Sequence, residues 1–204
     1  QRFISRVVKI TDEGGTALIP AFANGRTQDT VMLLHQRLPE LDIHVDGMGK
    51  RIAKLQLAHP ESLKDPQGLE SAWRWAKQVS SKSDKKKALN SDCIVTTSGM
   101  LEGGPSIWYL NRLRDNPKNA ILLTGYQANG SGGRELLDNS KIKIWNDKVK
   151  IDLPVDQFSF STHAGHDEIV DFVGKCNAEK VVIYHTDPEE ARPPLMEELQ
   201  KNGH

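Results

Sequence analysis

Three histidines stand where a catalytic or metal-binding imidazole is expected. His163 and His166 lie in the segment STHAGHD, directly after the apolar run QFSFS, and His185 closes the apolar run VVIYH. An imidazole titrates near neutrality, so it can move a proton at working pH or offer a neutral nitrogen to zinc. Both runs read as strands, and the ends of parallel strands are where α/β proteins carry functional groups. The other four histidines, His35, His44, His59 and His204, lack polar company and read as structural. There is no HExxH, no HxHxDH and no CxxC, and the two cysteines, Cys93 and Cys176, stand far apart. Stable zinc takes three or four protein donors, so the chain by itself is not expected to hold a stable zinc site.

A second chemistry is anion binding by glycine-rich turns. Glycines where a strand passes to a helix aim several backbone N–H groups at one place, and an arginine nearby can clamp a phosphate. Such turns occur at AsnGlyArg (24–26), at TTSGMLEGGP (96–105) and at LLTGYQANGSGGR (122–134). The last is neither a Walker A sequence, lacking the GK[ST] ending, nor a dinucleotide fingerprint. Arg26 and Arg134 are either phosphate clamps or partners in salt bridges at a helix start. Glycines at these turns are equally explained by tight geometry.

Elements that would position these residues follow from the apolar pattern. GGTALIPAF, then TQDTVMLLHQRL, reads as strand, loop and helix; DCIVTTSGM with GGPSIWYLNRLRD and NAILLTGYQ with SGGRELLD repeat it. Three βα units imply a parallel sheet, with 22–26, 97–104 and 125–134 gathered at its carboxyl edge. The start QRFISRVVKI reads as helix, and KIKIWNDKVKIDL as two strands joined at Asn146 and Asp147. VDQFSFSTHAGHDEIVDFV and AEKVVIYHTDPEEARPPLMEELQ each read as strand, loop and helix. Trp73 and Trp75 in SAWRWAKQV pack a helix or form a base-stacking platform, and Lys82 to Lys87 is a solvated loop or a phosphate patch. A composition shift near Pro154 is the best domain boundary.

Composition narrows the classes. The 204 residues carry 27 Lys+Arg against 27 Asp+Glu, with 37% hydrophobic residues, so no net charge draws the chain to nucleic acid. No apolar stretch nears the ~18 residues of a membrane span, which implies no membrane partner, and a cytoplasmic location is expected. The chain begins without Met inside a helical pattern, which reads as a fragment.

The order LIPAFANGRTQD, TTSGMLEGGP, LLTGYQANGSGGR, FSTHAG, VVIYHTDPE resembles the β-CASP family of metallo-β-lactamase-fold ribonucleases, which includes archaeal cleavage and polyadenylation factor nucleases and RNase J. The resemblance implies an α/β fold: a Rossmann-like, parallel-sheet β-CASP domain over 1–155, and over 156–204 the returning C-terminal segment of an αββα metallo-β-lactamase domain. It implies that FSTHAG matches the family's FSAHAD motif, with His163 as proton donor to the leaving oxygen. VVIYHT matches the motif ending in a metal-ligand histidine, which makes His185 a ligand to one of two zinc ions in the full-length parent and favours RNA over DNA. Gly165 and Thr186 depart from the usual acid and glycine, and His166 has no counterpart and is expected to cap the following helix. Substrate-binding positions are Arg26, Ser98, Gly99, Met100, Gly125 and Arg134. The implied activity is zinc-dependent hydrolysis of single-stranded RNA in 3′-end processing or decay. The isolated chain is expected to be inactive, with a homodimer or RNA-processing complex as possible assembly. The alternative is a noncatalytic RNA-binding or scaffolding subunit.

Overall fold

The computed structural model describes residues 1–158, 160, 164–176 and 178–203. It divides into two compact units, Gln1–Phe160 and Ser161–His204. In the first unit the helix α1 (Arg2–Asp12) precedes strand β1 (Ala17–Pro20) and helix α2 (Arg26–Arg37). Then come β2 (Ile43–Asp46), α3 (Gly49–Leu57), a 3₁₀ turn (Pro60–Ser62), α4 (Pro66–Trp75), β3 (Lys77–Gln78) and α5 (Lys82–Ala88). The pairs β4 (Cys93–Thr96) with α6 (Gly104–Leu113) and β5 (Ala120–Leu123) with α7 (Gly132–Asn139) follow, and a hairpin β6 (Lys141–Ile144) and β7 (Asp147–Lys150) leads to β8 (Val155–Gln157).

Six strands form one sheet in the order β3-β2-β4-β1-β5-β8, every pair parallel. β1, β2, β4 and β5 are buried at all four positions, as strands covered on both faces must be. Alternate residues feed two cores. Ala17, Ile19, Val45, Val95 and Leu122 meet Phe3, Val7, Val31, Leu34 and Trp73 from α1, α2 and α4. Leu18, Ile94, Ile121 and Leu123 meet Ile107, Leu110 and Leu136 from α6 and α7, with Ile142 and Ile144 of the hairpin. Fully burying each such aliphatic side chain contributes about 1.5–3 kcal/mol.

The three βα units and the parallel sheet match the sequence reading, and the helical start is α1. Three local expectations differ. Lys82 to Lys87 is not a loop: Ser81 accepts from Asp84 N and Asp84 reaches back to Ser81 N, and this capping box starts α5. The hairpin turns at Trp145 and Asn146, because burying Ile142 and Ile144 sets a register that pairs Ile144 with Asp147. β2 is a strand that the sequence reading passed over, and it carries His44, which is buried but, contrary to the expectation of no polar company, lies beside Asp42. The tryptophans pack: Trp73 is buried, and Trp75 donates to Pro39 O at 2.9 Å and lies against the His35 ring.

In the second unit, helices α8 (His166–Cys176) and α9 (Arg192–Lys201) bury Val173, Leu195 and Leu199 together. Residues 181–184, expected as a strand, pair with no strand among the described residues. The alternation survives: Val181 and Ile183 pack on the small core while Val182 and Tyr184 are 80% and 83% exposed. A β-prone segment becomes a strand only when a neighbour takes up its backbone hydrogen bonds, and none of the described residues does so. His166 is the first residue of α8 rather than its cap, and the backbone N–H just before it, at Gly165, is taken by Glu168 Oε2 at 2.8 Å. Among the described residues no helix is long and apolar enough to cross a membrane.

His44 makes stability depend on pH. Its Nε2 lies 3.3 Å from Asp42 Oδ1, while its Nδ1 is buried without a partner. Burial is the largest influence and lowers its pKa below the usual histidine value; Lys77 adds to the lowering, and Asp42 and Asp84 oppose it. An unfolded chain therefore takes up a proton that the folded chain refuses, so this contribution is present above the ordinary pKa of ~6.5 and is lost as pH falls below it. Thermal melts should show a smaller drop in Tm between neutral and mildly acidic pH for His44→Gln than for the parent chain; an equal drop would remove His44 as the cause.

Candidate nucleic-acid interface at the carboxyl edge of the sheet

β4, β1 and β5 are adjacent and parallel, so the segments leaving them, 21–25, 97–103 and 124–131, necessarily meet at one edge. Side-chain hydrogen bonds then tie them to each other. Thr124 Oγ1 donates to Pro20 O at 3.0 Å, joining the exits of β5 and β1. Gln127, only 1% exposed, donates through Nε2 to Gly99 O at 3.1 Å and Gly125 O at 3.2 Å. Gly133 N donates to Met100 O at 2.8 Å. Ser106 Oγ accepts from Ser98 N at 3.2 Å and donates to Gly103 O at 2.9 Å, closing the β4–α6 turn on itself.

Two glycines are required by this closeness. A Cβ at Gly99 would stand 2.9 Å from Phe22 N, and one at Gly133 would stand 1.7 Å from Gln127 Oε1. The glycine-rich sequences thus serve loop-to-loop packing, whatever else they bind.

Of the expected substrate-binding positions, Arg26, Ser98, Gly99, Met100, Gly125 and Arg134 all lie on these loops or the first turns beyond them. Their availability differs. Arg26, first residue of α2, sits with its guanidinium 5.8 Å from the centre of the Phe160 ring, and its Nε is buried without a hydrogen-bond partner. Arg134 is held by Asp138 one turn on, with Nε 2.8 Å from Oδ2 and a second contact through Nη2, and this hydrogen bonding holds the Asp138 carboxyl below its ordinary pKa. Here the salt-bridge alternative for Arg134 is realised. Gly125 O is taken by Gln127 and by Gln157 Nε2 at 3.1 Å, so that position offers no free acceptor. Phe22 (38% exposed), Met48 (61%) and Tyr126 (65%) present apolar surface beside these polar groups.

Next to this edge, Asp46 ends β2 as a buried carboxylate. Tyr109 donates to its Oδ2 at 3.1 Å, Lys50 Nζ is 3.5 Å from Oδ1, and Lys85 Nζ is 3.6 Å from Oδ2. Burial, reinforced by this carboxylate, pushes the Tyr109 phenol well above its ordinary pKa. Two ammonium groups and a phenol surround the carboxylate and neutralise it, so the edge carries no bare negative charge there. Gln127 and Asp46 were not singled out from sequence: the amide sat among glycines that drew the reading, and Asp46 lay in the strand that was missed.

His185 belongs to the second unit, exposed and with φ +55°. His163 lies outside the described residues. Among the described residues no three His, Cys, Asp or Glu side chains converge to hold a metal. One exposed imidazole has the right chemistry for zinc but falls short of the three donors a site needs, so the described residues do not fit a zinc centre by themselves.

Comparison with known proteins bears on this edge directly. A family model described as the Beta-Casp domain matches residues 27–136, more than half of the chain. A second, described as the Zn-dependent metallo-hydrolase RNA specificity domain, matches residues 148–193. Among curated relatives, a protein named probable RNase MJ4 from Methanocaldococcus jannaschii is 39% identical over 93% of this chain and 45% of its own length. One named RNase aCSPSF2 from Saccharolobus solfataricus is 34% identical over 92% of this chain and 38% of its own. The transcription termination factor FttA of M. jannaschii is 33% identical over 91% of this chain and 33% of its own length. The chain thus spans less than half the length of these relatives. A parallel α/β sheet with linked loops at its carboxyl edge and a β-CASP match running from the first turn of α2 into α7 lead to one conclusion: this chain belongs to the β-CASP family of metallo-β-lactamase-fold proteins.

Proposed function

We propose that this chain is the RNA-facing part of a zinc-dependent ribonuclease that hydrolyses phosphodiester bonds of single-stranded RNA in RNA processing or decay, acting in the cytoplasm. The observation that carries the reading is the tandem match, a β-CASP domain followed by an RNA specificity domain within one chain. The names of the relatives, two of them RNases, support the same substrate class. Residues 1–155 are the β-CASP domain in this reading. Residues 156–204 return to a metallo-β-lactamase domain, whose remaining part would supply a partner for the unpaired 181–184 and a cover for Val182 and Tyr184.

Each residue's part follows from its chemistry. Arg26, whose guanidinium has no ion-pair partner among the described residues, meets a phosphate in this reading, and a charge-assisted contact of this kind contributes about 1.5–3 kcal/mol. Phe22 and Tyr126 offer ring faces on which bases stack without sequence preference. Ser98, Gly99 and Met100 form the turn against which the strand lies. In hydrolysis, water's oxygen forms the new bond to phosphorus as the water gives up a proton to solvent, the bridging P–O bond breaks, and protonated His163 delivers its proton to the departing oxygen. In the whole protein His185 would be one donor to zinc, the others coming from outside the described residues, and zinc there would supply polarisation of the phosphate. His166 is left outside the chemistry: its bond to Asp167 raises its pKa and ties it to its own helix.

Arg26→Ala in the 204-residue chain should weaken binding of single-stranded RNA by ~10-fold or more, read by fluorescence anisotropy at fixed salt. Unchanged affinity would exclude Arg26 as a phosphate contact. In the whole protein, His163→Ala should leave zinc content near that of the wild type and cut cleavage by about 10²-fold or more, as loss of a general acid does. His185→Ala should lower zinc content at controlled free zinc. Loss of zinc in the first variant, or full zinc in the second, reverses the two assignments.

A further inference from the structure

The β6–β7 hairpin places a tryptophan where the core gains nothing from it. Trp145 occupies the turn at φ +57° and is 64% exposed, although Ile142 and Ile144 on the same hairpin are buried. Its indole borders a cavity of about 850 Å³ floored by the buried side chains of Leu101, Ile107 and Ile142. This cavity is continuous with the interface, because residues 101–103 and 130–131 of its wall belong to the loops leaving β4 and β5.

The charges around it are specific in kind. Glu135 is already taken up by Lys148 at 2.5 Å and by Asn139. Glu102 and Lys143 remain, one of each sign, and neither has an ion-pair partner among the described residues. A phosphate alone would be repelled by Glu102, and an apolar segment would strand both charges. A nucleotide satisfies the whole wall: a flat base stacks on indole, an exocyclic amino group donates to the carboxylate, and the phosphate meets the ammonium.

We propose that Trp145, Glu102 and Lys143 form a nucleobase-stacking subsite for single-stranded RNA that favours bases with an exocyclic amino group (adenine, cytosine, guanine) over uracil. It rests on the RNA reading above and assigns it one nucleotide position. The tryptophan supplies affinity, since a base on an aromatic ring is worth several-fold to about a hundredfold in binding. The carboxylate supplies the discrimination, because uracil presents a carbonyl where cytosine presents an amine.

The test is anisotropy of labelled homopolymers of about ten nucleotides, oligo(A), oligo(C) and oligo(U), against the 204-residue chain. Oligo(A) and oligo(C) should bind more tightly than oligo(U), and Trp145→Ala should lose ~10-fold or more for oligo(A) while Trp145→Phe keeps most of the affinity. Glu102→Gln should narrow the gap between oligo(A) and oligo(U). Circular dichroism controls for folding, which this exposed turn residue should not disturb. If Arg26→Ala weakens binding and Trp145→Ala does not, the subsite is refuted and the ribonuclease reading stands. If no homopolymer binds, both fall, and concentration-dependent self-association through Trp145 would instead mark the hairpin as a protein contact.

Discussion

The side-chain amide of Gln127 is the point on which the carboxyl edge depends. A parallel sheet brings strand ends together automatically, but it leaves the loops beyond them free to diverge. One buried NH₂ group donating to Gly99 O and Gly125 O removes that freedom between β4 and β5. Two loop carbonyls without this donor would need water or would remain unpaired, at a cost of about 1–3 kcal/mol each if buried. Gly133 is constrained in turn, since any side chain there would collide with the amide, and its own N–H then reaches Met100 O. The glycine at 133 is therefore a packing consequence of this one polar residue, whereas the glycine at 99 answers to the backbone of Phe22. Arg26, by contrast, keeps an unpartnered Nε beside this pinned framework.

Much of this was legible in the sequence because it follows from period and punctuation. Four-residue apolar runs such as ALIP, CIVT and AILL, each ending in a glycine-bearing turn, can only be buried parallel strands when helical patterns follow them. β2 was not legible for a physical reason. IHVD alternates apolar with polar, and its polar residues are buried by specific partners, His44 by Asp42 and Asp46 by Tyr109 and two lysines. The partners of Asp46 on α5 and α6, Lys85 and Tyr109, come from far along the chain, and pairings over such distances leave no local trace. The turn of the β6–β7 hairpin slipped by one residue for a related reason: Asn-Asp is the better turn pair locally, but burial of Ile144 outweighs it.

The site divides in the same way. Residue types and motif order located the loops that the sheet brings together, whereas whether an arginine is free depends on what stands one turn away. Asp138 lies four residues after Arg134, the spacing of helix neighbours, and it occupies that guanidinium. Four residues after Arg26 stands Thr30, which returns a hydrogen bond to the backbone at Arg26 O, and among the described residues no ion pair joins Arg26 to Asp29, three residues on.

One further tie fixes where the chain leaves the first unit. Phe3 on α1 meets the rings of Phe158 and Phe160 edge-on, with centroids 5.3 and 5.0 Å away, and Arg6 binds Asp156 at 2.6 Å. An N-terminal helix thus holds a strand 150 residues later, through apolar contact on one side and an ion pair on the other. Arg26 lies over Phe160, so the free guanidinium and the exit of the chain share one aromatic cluster. His163 follows Phe160 by three residues in sequence. The place where the first unit ends is thus set by α1, through contacts across 150 residues that no local pattern in the sequence announces.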